Sequence, residues 1–183
     1  MGRHVITLRP MAVADECAKL EYLIRQSGFV PDLVLSILRG GEYVGRELFR
    51  DVRHESVVLQ RPTTRRKGRI FGKVMQALPY WLLDRLRIAE AWLLSRKSAK
   101  YKPAEVELPD VAALRILIVD DAVDSGHTLR SVVEAVTSAN PDADVRTAVI
   151  TVTTPHPVIR PNYMMFNNLS LIRFPWSKDY KTK

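Results

Sequence analysis

An α/β fold on a mainly parallel, doubly wound sheet is predicted by three features of this 183-residue chain. Short aliphatic runs alternate with stretches whose apolar residues recur every three or four positions, as when buried strands alternate with amphipathic helices. Two of those runs pass directly into turns rich in glycine or aspartate that open a helix, the usual place for a ligand in such sheets. The composition, 46% hydrophobic and 26% charged, is that of a globular protein and excludes disordered and fibrous classes. The length suits one domain with a sizeable core, expected to span residues 1–183.

Pro10 suits a first helical turn, and Val13, Cys17, Leu20 and Ile24 follow at helical spacing before Gly28 offers a stop. Residues 33–38 are a short apolar run after Pro31, suited to a strand covered on both faces. Gly40 and Gly41 then open a second helix, expected over residues 43–51. Strands are expected at 56–60 and 115–119, the latter ending in two aspartates. A helix at 128–139, a strand at 145–152 and two short strands at 163–166 and 169–174 complete the alternation.

Residues 61–113 interrupt that order. Residues 70–97 read as helix broken near Pro79, and in the second piece Leu82, Leu86, Ala89 and Leu93 form a stripe beside Trp81, Ile88 and Trp92. An apolar surface so broad must pack on its own domain, on a second subunit or across a site. The segment is also basic: residues 61–103 hold twelve Lys and Arg against two acids, and the remainder sixteen against eighteen. The cluster Arg65, Arg66, Lys67 and Arg69 suits phosphates, nucleic acid or an anionic membrane surface, or is a solvated basic loop.

Several classes are disfavoured. The longest uncharged apolar-rich run, residues 74–83, is about half of a bilayer span and contains Gln76 and Pro79. The N-terminus has Arg3, His4 and Arg9 without an apolar stretch and cleavage site, so a cytoplasmic location is expected. A single cysteine, Cys17, forms no internal disulfide, and His4, His54 and His156 lack metal-ligand spacing. Asp121, Ser125 and His127 do not make a hydrolase: Ser125 follows Asp124 where a nucleophile elbow needs a small residue.

Residues 116–129 carry the chemistry. An aliphatic strand from Ile116 to Val119 leads to Asp120 and Asp121, whose oxygens suit sugar hydroxyls or a magnesium ion. After Ala122, Val123 and Asp124 come Ser125, Gly126, His127 and Thr128, with His127 expected exposed at a helix N-terminus able to close around a phosphate. Three aspartates would repel a bare phosphate, so the ligand should combine hydroxyls with phosphate, and a metal should offset its charge. Upstream, Leu38, Arg39, Gly40 and Gly41 end an apolar strand; the glycines let backbone approach a ligand closely, and Arg39 can contact anionic oxygens.

These two segments resemble the phosphoribosyl diphosphate (PRPP) motif and the pyrophosphate loop of the type I phosphoribosyltransferases. The third aspartate is similar to that of the six-oxopurine branch, the hypoxanthine-guanine and xanthine-guanine enzymes. The resemblance implies a family-type fold with a small C-terminal hood at about 155–183; the basic helical segment at about 61–113 is an insertion that departs from it. It implies a Mg²⁺-dependent transfer of the phosphoribosyl group from PRPP to a nucleobase, with pyrophosphate released. PRPP would be bound by Leu38, Arg39, Gly40, Gly41, Asp120, Asp121, Ala122, Val123, Asp124, Ser125, Gly126, His127 and Thr128. Asp120 and Asp121 would hold the ribose hydroxyls and the metal, residues 124–128 the 5-phosphate, and Arg39 the leaving group. Asp124 would be the general base near N7 of the purine. A non-proline cis peptide in the pyrophosphate loop is also implied.

Residues 161–176 are similar to the xanthine-guanine hood with its Pro-Trp pair, here Pro175 and Trp176. Leu171 and Ile172 would face the purine, while Phe174 and Trp176 read equally well as packing. Where the family carries a base-reading lysine, this chain has Val152, Thr153 and Thr154. Ser98 and Tyr101 stand where the family has a loop that closes over PRPP. A homodimer through the tryptophan stripe is expected. Nucleic acid or an anionic membrane surface could bind residues 61–103 but neither is expected, and the alternative reading is a nucleotide-sensing regulator that binds nucleic acid.

Overall fold

The computed structural model describes residues 4–60, 78–96 and 105–181. The basic cluster at 65–69, the first piece of the interrupting segment, Ser98 and Tyr101 lie outside them. The elements run β1 (His4–Thr7), α1 (Pro10–Gln26), β2 (Leu33–Ile37), α2 (Gly40–Gly45), β3 (Arg53–Gln60), α3 (Tyr80–Arg96), β4 (Glu105–Glu107), β5 (Arg115–Val123), α4 (His127–Ala139), β6 (Asp144–Val152), β7 (Tyr163–Phe166) and β8 (Ser170–Arg173).

A six-stranded sheet in the order β4-β3-β2-β5-β6-β7 is parallel except for β4, which joins β3 antiparallel. A second sheet pairs β1 with β8 in parallel. Strand parity divides the core. Val34, Leu117, Val119, Ala148 and Ile150 pack with Val13, Cys17, Leu20 and Ile24 of α1 and with Val44 of α2. Leu33, Leu35, Ile37, Ile116, Ile118 and Val149 point the other way and pack with Leu129, Val132 and Val136 of α4. Strands covered on both faces have no polar side to alternate with, which is why they read as continuous aliphatic runs. Each such buried aliphatic side chain contributes about 1.5–3 kcal/mol.

From β2 the chain moves outward to β3, then returns to the opposite side of β2 as β5 and continues to β6. The order therefore reverses between β2 and β5, and the two loops of interest leave the carboxyl ends of those two adjacent strands.

Several boundaries differ from the sequence expectation, each for a physical reason. β5 does not stop at Val119 but runs through both aspartates to Val123, because β6 continues to pair with it as far as Val123↔Val152. α2 begins at Gly40 and is only six residues long, with Phe49 at φ +46° in the turn that follows. β3 starts at Arg53, where it meets Leu33 of β2, rather than at 56. β1 and β4 had no clear local signal: β1 exists by pairing with β8, and β4 is three residues on the sheet edge. The expected strand at 169–174 is the shorter β8. Pro79 caps α3 from outside, accepting hydrogen bonds from Leu82 and Leu83, as a residue that cannot sit inside a helix should.

α3 docks onto the C-terminal region through charge. Arg173, 1% exposed, donates to Asp179 (2.8 Å), Asp84 (2.6 Å) and Thr7 (2.9 Å), and its guanidinium lies 4.7 Å from the Tyr80 ring centre. Arg87 donates to the Ile172 carbonyl (2.5 Å) and to Asp179 (2.8 Å). Of the apolar stripe on α3, Leu83 beside it is buried whereas Leu86 is exposed. The side chains of Trp81, Trp92 and Leu93 lie outside the description. No helix among the described residues is long and apolar enough to cross a membrane.

Candidate active site

The first wall of the site is the turn from β2 into α2. Leu38–Arg39 is a cis peptide, the feature the family resemblance implies for this loop. Arg39 is exposed, and Gly40 and Gly41 start α2. Both glycines are required by close approach to the end of β5. A Cβ on Gly40 would fall onto the carboxyl group of Asp121, and one on Gly41 would lie 2.6 Å from the Val119 carbonyl oxygen and 2.9 Å from Asp120 Cα. The glycines are the means by which two loops distant in sequence are pressed together.

The second wall comes from β5. Asp120 and Asp121 are successive residues of β5, and both carboxyl groups face the 38–41 loop, Asp121 against Gly40 and Asp120 against Gly41. The Asp121 amide donates to Asp120 Oδ1 at 2.8 Å. Asp121 faces Gly40 and accepts a 2.7 Å hydrogen bond at Oδ2 from the indole N–H of Trp176. Burial pushes the Asp121 carboxyl above the usual carboxylate range; hydrogen bonds with the Trp176 and Asp120 side chains and the Ala122 backbone pull it back, and the nearby Asp124 adds to the rise.

The third wall is the turn into α4. Ala122 is half-buried and Val123 buried at the strand's end, Asp124 and Ser125 are exposed, and Gly126 caps α4 in the left-handed region at φ +83°. The segment after β6 closes over this turn: Val158 donates its amide to the Ser125 carbonyl at 2.9 Å, and a Cβ on Gly126 would press on Ile159 at 3.1 Å. His127, expected exposed, is half-buried as the first residue of α4, with Thr128 half-buried beside it.

Two contacts were missed by the sequence reading. Thr153, at the place of the family's lysine, donates its hydroxyl to Asp124 Oδ1 at 2.5 Å and its amide to the Val123 carbonyl at 2.9 Å. Trp176 lies between Tyr43 of α2 (ring centres 4.6 Å apart, 10° between planes) and Phe174 (4.8 Å, 7°). Of the base-facing pair, both members are buried on β8; as strand neighbours they point to opposite sides, and Ile172 packs into the core cluster of α1. An open cleft of about 370 Å³ adjoins the stack, lined by Pro10, Val13, Tyr43, Glu47, Pro175 and Trp176; the loops at 38–41 and 120–128 do not line it.

Among the described residues no group of three or more His, Cys, Asp or Glu could hold a metal ion by itself. The donor set present, one or two carboxylates on β5, suits Mg²⁺, which usually completes its shell with water and substrate phosphate oxygens rather than with an all-protein cage.

Fold and site define a phosphoribosyltransferase: the chain belongs to the family described as the phosphoribosyl transferase domain, whose model matches residues 7–182. It is an enzyme of PRPP-dependent group transfer. Among solved structures it is similar to a purine phosphoribosyltransferase from Pyrococcus horikoshii Ot3, with 19% identity, a TM-score of 0.65 and coverage of 98% of this chain and 97% of that one. It is similar also to the xanthine-guanine-hypoxanthine phosphoribosyltransferase of Helicobacter pylori, at 16% identity, TM-score 0.64 and coverage of 94% and 93%. A third similar structure is a hypothetical protein from Neisseria gonorrhoeae with bound ppGpp, at 17% identity, TM-score 0.58 and coverage of 96% and 90%. No curated protein matches the chain by sequence.

Proposed function

We propose that this protein transfers the 5-phosphoribosyl group of PRPP to a purine base, with Mg²⁺ and release of pyrophosphate, and that six-oxopurines are its first candidates. One observation carries the reading: the glycines of the 38–41 loop sit directly against the Asp120-Asp121 end of β5, so that an anion loop and a pair of hydroxyl-binding carboxylates form one cradle. A ligand with diphosphate at one end and ribose hydroxyls beside it matches that cradle. The purine enzymes from Pyrococcus and Helicobacter support the choice of acceptor.

In this mechanism the chain positions groups and balances charge rather than forming a covalent bond to substrate. Asp120 and Asp121 accept hydrogen bonds from the ribose hydroxyls and offer the oxygens for the metal. Mg²⁺, when bound, neutralises developing charge on the leaving pyrophosphate. Arg39 and the backbone of Leu38, Gly40 and Gly41 face that same group. The turn from Asp124 through Ser125, Gly126, His127 and Thr128 holds the 5-phosphate on backbone N–H groups and hydroxyls at the start of α4. Asp124 takes a proton from the base, or steadies its N7–H, with the Thr153 hydroxyl holding the carboxyl group in place. Leu171 is the member of the hood pair turned away from the α1 core and is assigned to the base. A single domain over residues 1–183, a homodimer and a cytoplasmic location complete the proposal.

The test is pyrophosphate release from PRPP and Mg²⁺ with guanine, xanthine, hypoxanthine, adenine, uracil and orotate in turn. Release with a purine is expected. A second reading, a nucleotide sensor that binds nucleic acid through residues 61–103, is favoured by the ppGpp bound to the similar Neisseria protein. Silence with every base, together with binding of ppGpp and salt-dependent binding of RNA or DNA, would select it.

A further inference from the structure

Trp176 packs against the core cluster of α1, yet its N–H has a partner in the site that packing does not require. Its indole is held between two rings, Tyr43 from the helix after the 38–41 loop and Phe174 from the end of β8, both nearly parallel to it. Stacking against two rings restricts how the indole turns, so the stack helps to set the direction of its N–H. That N–H ends 2.7 Å from Asp121 Oδ2. Indole nitrogen is a donor only, so it always presents a proton to the carboxylate and favours its ionised form. On another side the absence of a Cβ at Gly40 leaves room for the same carboxyl group.

Resting on the phosphoribosyltransferase reading above, we propose that Trp176 is a positioning residue: it fixes the Asp121 carboxylate for the ribose of PRPP and ties the C-terminal segment to the 38–41 loop. Packing alone would need only the ring; positioning needs the N–H.

Trp176→Phe separates the two, since phenylalanine keeps an aromatic ring in the stack and deletes the donor. Calorimetric titration should show PRPP with Mg²⁺ binding about tenfold or more weakly, the size of a lost hydrogen bond to a charged group. Inorganic pyrophosphate without Mg²⁺, which meets the 38–41 loop and needs neither the ribose carboxylates nor the metal they would hold, should bind within about twofold of wild type. Equal loss for both ligands means that Trp176 acts by packing the loop, and unchanged PRPP affinity means that its N–H does nothing; either result overturns the assignment. Wild-type protein that fails to bind PRPP overturns the function proposed above and this assignment with it. Should Trp176→Phe not fold, the indole N–H resonance of Trp176 in the wild type decides: it must move on addition of PRPP with Mg²⁺, and a fixed resonance overturns the proposal.

Discussion

Asp124 is exposed at the mouth of the site, yet its carboxylate is not free to wander, because the Thr153 hydroxyl donates to it from across the β5–β6 pair. The general base proposed for this position needs aim, and the hydroxyl supplies it. Asp124→Asn is expected to lower kcat on the accepted base by roughly 100-fold or more with PRPP affinity little changed, and Thr153→Val to lower it about tenfold. Steady-state kinetics with both substrates varied will check the pair; a fall in PRPP affinity without a fall in kcat would contradict the roles. Cys17 is a group kept from ionising. Burial, then the charges of Glu47 and Glu16, pushes its thiol up to about 12 from 9.0. Because the folded value is the higher one, its contribution to stability is complete below about pH 9 and drains at about 1.4 kcal/mol per pH unit as pH rises toward the folded value. Urea unfolding of wild type and Cys17→Ala, compared from about pH 8 to pH 11, should show their stability difference change sharply only above pH 9.

At the scale of elements, the turn between β2 and α2 and the strand β5 are complementary surfaces, and glycine is what lets them touch. Gly40→Ala is expected to drive a methyl into the Asp121 carboxyl and to abolish detectable PRPP binding. Gly28→Ala provides the contrast. Gly28 has φ +79° at the end of α1 but nothing within 4 Å of a Cβ, so alanine there should cost about 1 kcal/mol of stability and leave PRPP binding intact. Calorimetric titration and thermal unfolding on the two variants separate a site glycine from a turn glycine. The elements themselves were legible wherever local pattern sufficed. α1 announced itself by Pro10, four apolar residues at helical spacing and Gly28, and all four are buried. For α2 a helix after Arg39 was legible but its bounds, expected at 43–51, were not, because two glycines are poor helix formers and its six residues owe their helical form to contact with β2 and β5. β1 was invisible because a four-residue strand with exposed ends has no periodicity to read, and only β8 makes it a strand.

Across the whole molecule, α3 is anchored to the end of the chain by buried charge rather than by its apolar stripe alone. Arg173 is enclosed by Asp179, Asp84, Thr7 and the Tyr80 ring, and Arg87 reaches the same Asp179. Arg173→Met would remove one cation from Asp179, itself 3% exposed, and leave it with Arg87 alone. Stability should fall by about 3 kcal/mol, the lower end of the range for breaking a buried pair, since one partner survives. Urea denaturation will measure it; a loss below about 1 kcal/mol would mean that the network is solvated.

The local order of residues was enough to determine which stretches become the buried strands and the longer helices, and which two turns leave the carboxyl ends of β2 and β5 to open helices. Aliphatic runs, helical spacing, paired glycines and the Asp-rich turn act over a few neighbouring residues, and their physical preferences need no distant partner. The meeting of those turns was decided by the tertiary structure. Strand order puts β2 beside β5, so that Gly40 rests on Asp121; the C-terminal segment folds back to bring Trp176 to the same carboxylate; and β6 sets Thr153 against Asp124. Those contacts join residues 81, 55 and 29 positions apart. Their directions depend on how whole elements pack, because a single side chain's polarity specifies that it needs a partner but not which one.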